Sequence, residues 1–266
     1  VEIITGHFSD DKILKKSLKG IDIVHYLSID YNNYNNSLLD TKRILAFSSE
    51  LGVSHFIYYS TVNVHNIIRS KVIIDENTPF EIHDPYALHK IQCEKIVVDV
   101  SNNTDDLNYT IIRPTIIYGE GDFHRYFLFK SIQDNKFRFI GDGSNKLGFC
   151  NIKNLIDGIL LINGNSKAFN KKYLIGDKSS YTIASIVNQI CECFGINPIS
   201  KFWPYSLAQK MLFPYKVYRA ITKEKIFAVP ENLDFFEIDF EVDISKIQKE
   251  LGYVPSVSIK DGLSKS

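Results

Sequence analysis

The sharpest chemical signal in the chain is a tyrosine and a lysine four residues apart, in Tyr86-Ala87-Leu88-His89-Lys90. On a helix that spacing puts a phenol and an ammonium on one face. A free phenol ionises near pH 10, too high for base work at neutral pH, and a cation held beside it favours the phenolate and lowers that value. The pair therefore suits proton transfer at a carbinol or carbonyl oxygen. Twenty-five residues before Tyr86, Ser60-Thr61 closes an aromatic and β-branched run. Open parallel sheets place their ligand crevice at such strand ends, so a hydroxyl of Ser60 or Thr61 is placed to bind the oxygen whose proton Tyr86 handles. In a chain with 15 tyrosines the spacing also arises by chance on a solvated helix face. The helix start at Asp84-Pro85 and the hydroxyl upstream give it weight.

Those side chains need a frame of alternating strands and helices, and the first half of the sequence has that rhythm. Val1–Thr5, Ile21–Leu27, Val53–Ser60 and Tyr109–Arg113 read as strands, and Asp10–Leu18, Asn36–Leu51 and Pro85–Val100 as helices. Ser9 or Asp10 suits the first cap, Gly52 the left-handed position past the second helix, and Pro85 the opening turn of the third. Further on, Ile152–Ile162, Thr182–Phe194 and Ile244–Leu251 read as helices among isolated strands, and Gly141-Asp142-Gly143 marks a turn. The expected architecture is α/β: a core over residues 1–120 and a smaller mixed lobe over 121–266, with some of its segments returning to the core.

Composition narrows the partners. Lys+Arg and Asp+Glu are both 31, and a formal net charge of zero removes the electrostatic case for a nucleic-acid or membrane-surface binder. No apolar run approaches the roughly 18 residues of a membrane span. The four cysteines, Cys93, Cys150, Cys191 and Cys193, match no metal spacing and read as buried free thiols, which places the protein in the reducing cytoplasm. The chain opens on valine and its one methionine is Met211, so it reads as the remainder of something longer.

Several segments occur in an order that carries a resemblance. They are Thr5-Gly6-His7-Phe8-Ser9-Asp10, Asp22-Ile23-Val24-His25-Tyr26-Leu27, Tyr59-Ser60-Thr61-Val62-Asn63-Val64-His65, Tyr86 to Lys90, Arg113-Pro114 through Gly119-Glu120-Gly121, and Leu251-Gly252-Tyr253-Val254-Pro255. Together the sequence resembles the extended short-chain dehydrogenase/reductases, the NAD-dependent epimerase/dehydratase family. The resemblance implies a Rossmann-type doubly wound parallel sheet, NAD or NADP as cofactor, and a nucleotide sugar as substrate. It makes Tyr86 the acid/base, Lys90 the holder of the nicotinamide ribose and Thr61 the hydroxyl partner. It assigns His7, Phe8, Tyr26, Leu27, Ser60 and Pro114 to the cofactor, beside Tyr86 and Lys90. Thr61, Asn63, Tyr118, Arg125 and Lys146 fall to the substrate, and a homodimer is implied. His65 and His89 read as bystanders, His89 on the surface, and Trp203 as plain core.

The departures are as informative. No Gly-x-x-Gly-x-x-Gly loop occurs, so on the order of 50–60 residues of a βαβα start are expected to be missing, and this stretch alone is expected to bind NAD poorly. His7 stands where the family has aspartate, Leu27 where it has a small alanine, and Ser37 and Asp40 where Asn and Gly are usual. In Gly141-Asp142-Gly143-Ser144-Asn145-Lys146-Leu147-Gly148-Phe149, Leu147 replaces the arginine that grips a pyrophosphate, leaving Lys146 or Arg125 as substitutes. Three functions stay open: a nucleotide-sugar epimerase or dehydratase; a hydroxysteroid-dehydrogenase-like oxidoreductase whose apolar pocket uses Leu147, Phe149 and Phe202-Trp203; or a truncated, non-catalytic scaffold.

Overall fold

The computed structural model describes residues 2–67, 73–122, 126–222, 233 and 238–265. In chain order the first half holds α1 (Asp11–Leu18), β1 (Ile23–Tyr26), α2 (Tyr34–Glu50), β2 (His55–Tyr59), β3 (Ile73–Ile74), α3 (Pro85–Asn102), β4 (Asn108–Pro114) and β5 (Ile116–Tyr118). Then come α4 (Tyr126–Gln133), β6 (Phe139–Ile140), β7 (Lys146–Asn151), α5 (Ile152–Ile162), β8 (Lys171–Ile175), β9 (Ser180–Thr182) and α6 (Ile183–Phe194). The chain continues through β10 (Phe202–Trp203), α7 (Tyr205–Thr222), β11 (Glu241–Val242), α8 (Ser245–Leu251) and α9 (Ile259–Leu263).

The main sheet has the order β1-β2-β4-β8 and is parallel throughout, with Ile23 opposite His55, His55 opposite Asn108 and Thr110 opposite Lys171. Its strands alternate in the way a sheet covered on both faces requires. Tyr26, Phe56, Tyr58 and Ile111 pack with Leu14, Leu45, Cys93 and Val97 of α1, α2 and α3. Ile57, Ile112 and Tyr173 pack on the other face with Leu155 and Ile162 of α5 and Ile247 of α8. The smaller lobe carries the sheet β5-β7-β9, in which β7 runs parallel to β5 and antiparallel to β9.

Local chemistry sets the helix starts. Asp10 caps α1 by accepting from the Lys12 and Ile13 N–H groups, Asn33 caps α2 through the Asn36 N–H, and Asp84 caps α3 at 2.6 Å from the Ala87 nitrogen. The Asn33 cap starts α2 two residues before the expected Asn36. Gly52 takes φ 78°, the conformation a residue past the helix end needs.

One expected strand is not formed. Glu2–Thr5 makes no ladder, because no neighbouring strand among the described residues takes its backbone N–H and C=O groups, and Val1 lies outside the described residues. Likewise β1 is paired on one edge only among the described residues. Trp203, expected in the core, is 37% exposed, since β10 is a two-residue edge strand against β6. His89, expected on the surface, is buried where α2 covers α3. Cys93, Cys150 and Cys191 are buried thiols, but Cys193 is exposed, two residues beyond the packed face of α6.

Candidate active site

The expected trio is brought together at the carboxyl end of β2. That strand ends at Tyr59, and the chain runs through Ser60, whose N–H donates to the Ile112 carbonyl at 2.8 Å, into the extended Thr61. The Thr61 hydroxyl accepts from the Asn63 N–H at 3.2 Å and starts a short turn that buries Val62 and Val64. Opposite it, α3 opens at Pro85, so Tyr86 lies in its first turn and Lys90 one turn later. Tyr86 is half-buried, with the Thr61 hydroxyl beside its phenol.

Lys90 is buried, and its Nζ donates to the Tyr59 carbonyl at 2.7 Å. It stands 5.0 Å from the centroid of the Tyr58 ring and 5.9 Å from that of Tyr86. Burial brings its pKa down to about 8, with Cys93 and Glu94 opposing. Tyr86 departs from the sequence expectation: burial first, then Tyr31, push its pKa up to about 12, and the Thr61 hydroxyl only partly offsets them. The Lys90 ammonium is held by the Tyr59 carbonyl, and desolvation of the phenolate outweighs it.

Leu27, Ser60 and Pro114 follow or end β1, β2 and β4, three adjacent parallel strands, and so share this end of the sheet. Leu27 is 61% exposed there. The other residues assigned to the cofactor have local partners. Ser60 is buried and donates to Glu94 at 2.6 Å. The Tyr26 hydroxyl is buried against Thr41, and Phe8 packs edge-on to the Tyr26 ring. His7 is exposed and bonded to Ser9. Of the substrate assignments, Asn63 lies on the turn beside Thr61, whereas the Tyr118 hydroxyl is buried and donates to Asp177. Lys146 pairs with Glu241 at 2.8 Å on the surface, and Arg125 lies outside the described residues. Leu147 and Phe149 are buried in the core while Phe202 is exposed, so these residues do not line one apolar pocket.

Two features were missed. Tyr31 stacks on Tyr86 with centroids 6.1 Å apart and planes 18° from parallel. Beneath the trio, Arg113 donates to both Glu94 oxygens at 2.9 and 2.6 Å, and its Nη1 meets His65 Nε2 at 3.1 Å. Burial works to raise the Glu94 pKa, but Arg113 and Ser60 overcome it and hold the carboxyl below its ordinary value. The signals were there: an arginine inside the apolar run Ile111-Ile112-Arg113 demands a buried carboxylate, and Glu94 lies on the Lys90 face of its helix.

A family model described as the NAD dependent epimerase/dehydratase family matches residues 2–176. The N-acetyl-alpha-D-glucosaminyl-diphospho-ditrans,octacis-undecaprenol 4-epimerase of Escherichia coli O157:H7 is 25% identical over 98% of this chain and 81% of its own length. The 3beta-hydroxysteroid-dehydrogenase/decarboxylase isoform 1 of Arabidopsis thaliana is 24% identical over 100% of this chain, which spans 66% of that protein. The UDP-glucose 4-epimerase of Vibrio cholerae is 25% identical over 81% of this chain and 62% of its own length. The chain thus spans less than two thirds of these last two relatives. In fold it is similar to the UDP-glucuronic acid 4-epimerase of Bacillus cereus, solved in complex with UDP-glucuronic acid and NAD, with a TM-score of 0.74 and 21% identity over 98% of this chain and 78% of that one.

Proposed function

We propose that this chain, which belongs to the NAD dependent epimerase/dehydratase family, oxidises and re-reduces a carbinol of a nucleotide-linked sugar as an epimerase, with Tyr86, Lys90 and Thr61 as its proton-handling site. The observation that carries this reading is the meeting of the Tyr86 phenol, the Thr61 hydroxyl and a buried Lys90 ammonium at one strand end. The residues fit the nicotinamide-ribose half of the cofactor: Lys90 has three N–H donors and gives one to the Tyr59 carbonyl, leaving others for sugar hydroxyls. When bound, NAD supplies the hydride acceptor and donor.

The chain's own residues do the rest. Thr61 orients the substrate oxygen, and Tyr86 takes its proton as the carbinol is oxidised and returns it on reduction. Burial holds the phenol up at about 12, so this role requires its pKa to be brought down in the working complex. Lys90, buried on the same helix face, is the cation placed to help. A scaffold protein has no use for a desolvated ammonium beside a phenol.

UDP-glucose, UDP-N-acetylglucosamine and UDP-glucuronic acid, incubated with the protein and NAD, test this reading. Conversion of one of them to its 4-epimer with no net NADH supports it. Stoichiometric NADH, or turnover of a sterol substrate alone, overturns it in favour of a dehydrogenase of the kind named for the plant relative.

A further inference from the structure

One aromatic ring at the site takes no part in moving the proton. Tyr31 lies in the segment 27–33 that leaves the carboxyl end of β1, the sheet end shared with Thr61 and Pro114. The backbone around it is pinned: the Asp30 carboxylate accepts from the Asn32 N–H at 2.9 Å and the Asn33 N–H at 3.1 Å, and Asn33 caps α2. From there the Tyr31 ring reaches the first turn of α3 and lies on Tyr86, centroids 6.1 Å apart and planes 18° from parallel. Tyr34 stacks on His89 at 4.9 Å and 27°, so two rings three residues apart meet two side chains three apart on α3. The Tyr34 stack, on a buried His89, already fastens this segment to the helix. Tyr31 stays 66% exposed, so it adds little apolar burial to the fold, and the side chain it covers is the proposed proton carrier.

We propose that Tyr31 is a positioning residue for Tyr86: its ring, held over the phenol by a pinned segment, keeps Tyr86 facing Thr61 and keeps water from that side of it. This rests on Tyr86 being the proton carrier of the proposed epimerase. A near-parallel pair of rings is a favourable aromatic geometry, and it restricts the swing of Tyr86 about its side-chain torsions. Around the phenol stand Thr61, Lys90, Asp84, Tyr34 and Tyr31. Burial is the first cause of the raised Tyr86 pKa and Tyr31 the second, with Tyr34 and Asp84 adding to it and Thr61 opposing. Excluding water from one side of the phenol directs its proton to the oxygen held at Thr61 and strengthens the attraction of the Lys90 ammonium for the phenolate.

The test is nitration of the whole chain by tetranitromethane at about pH 8, with the Tyr86 peptide quantified by mass spectrometry. The reagent attacks phenolate, so the initial rate reads both the cover on Tyr86 and its ionisation. No sugar or NAD is added, so the result stands apart from whether the chain is an epimerase. Tyr31→Ala should be nitrated at Tyr86 about 10-fold faster than wild type, since a pKa lower by about one unit gives about tenfold more phenolate. Its thermal midpoint should stay within about 2 °C of wild type. Tyr31→Phe, which keeps the ring, should restore the slow rate. With the sugar that wild type epimerises, Tyr31→Ala should lower kcat about 10-fold and leave KM within about twofold, the split expected of a loss at the reacting group. Tyr86 nitrated no faster in Tyr31→Ala than in wild type overturns the proposal, and so does a Tyr31→Phe protein as fast as Tyr31→Ala. A raised KM with kcat unchanged also overturns it, and would make Tyr31 a substrate contact. If wild type turns over no sugar, the proposed function fails, and the nitration rates alone decide whether Tyr31 guards Tyr86.

Discussion

Glu94 lies one helical turn beyond Lys90, and its two carboxylate oxygens are both gripped by Arg113 from the adjacent strand, at 2.9 and 2.6 Å, with both side chains out of solvent. Ser60 ties the same carboxylate to the residue before Thr61. The pair therefore fixes the strand end to the helix at the place where Tyr86, Lys90 and Thr61 meet.

Removing one partner of such a pair leaves an uncompensated buried charge. Glu94→Ala should lower unfolding stability by about 3–5 kcal/mol in urea titrations. Glu50→Ala, which breaks the exposed Lys15–Glu50 pair, should cost less than about 1 kcal/mol. Equal effects for the two variants would show that the Glu94–Arg113 contact does not hold this region.

Lys90 predicts a conflict between stability and function. Its folded pKa, about 8, lies below its unfolded value of 10.5, so the folded chain binds fewer protons and the burial cost is fully present below about pH 8. Lys90→Met should raise the thermal midpoint at neutral pH, by up to about 2 kcal/mol of stability, while NAD affinity falls. A variant less stable than wild type at neutral pH would contradict the desolvated ammonium.

The same group sets an alkaline limit. NAD affinity measured by titration calorimetry across the alkaline range should decline as pH rises through about 8, where Lys90 loses its charge. Affinity that holds level well past that point would remove Lys90 from the ribose.

Acid should weaken the fold through buried histidines. The His55 Nε2 meets Thr110 at 2.8 Å and its Nδ1 accepts from the Gly164 N–H, an arrangement that requires the neutral ring, and burial brings its pKa down to about 4. His89 is likewise lowered to about 4 and His65 is lowered too, burial being the first cause in each. The unfolded chain takes up these protons first, so stability falls as pH drops from 6.5 toward about 4. At about pH 5 the loss from His55 alone should be about 1–2 kcal/mol, visible as a lower thermal midpoint than at about pH 7.5. A midpoint unchanged between those values would contradict it.

The sequence made the parallel sheet and the meeting of Tyr86, Lys90 and Thr61 legible because both rest on local signals. Asp84-Pro85 starts a helix wherever it occurs in such a context, and four-residue spacing then places Tyr86 and Lys90 without tertiary information. The protonation of Tyr86 was not legible, since desolvation depends on what Tyr31 and the neighbouring loop cover. Trp203 and His89 were misplaced for a related reason: burial belongs to the packing of β10 and α2 with the rest, which composition does not encode. Tyr118 and Lys146 were assigned by resemblance, and the hydroxyl and ammonium found nearer partners in Asp177 and Glu241.

The most direct measurement compares Tyr86→Phe with wild type in single-turnover conversion of the sugar nucleotide that wild type epimerises, with NAD present. Loss of the phenolic oxygen leaves the ring and its stacking on Tyr31 in place and removes the proton carrier. The rate should fall about 100-fold to 10,000-fold with the thermal midpoint nearly unchanged. A Tyr86→Phe protein that epimerises within a few-fold of wild type would mean that the proton is handled elsewhere and that the trio is not the catalytic site.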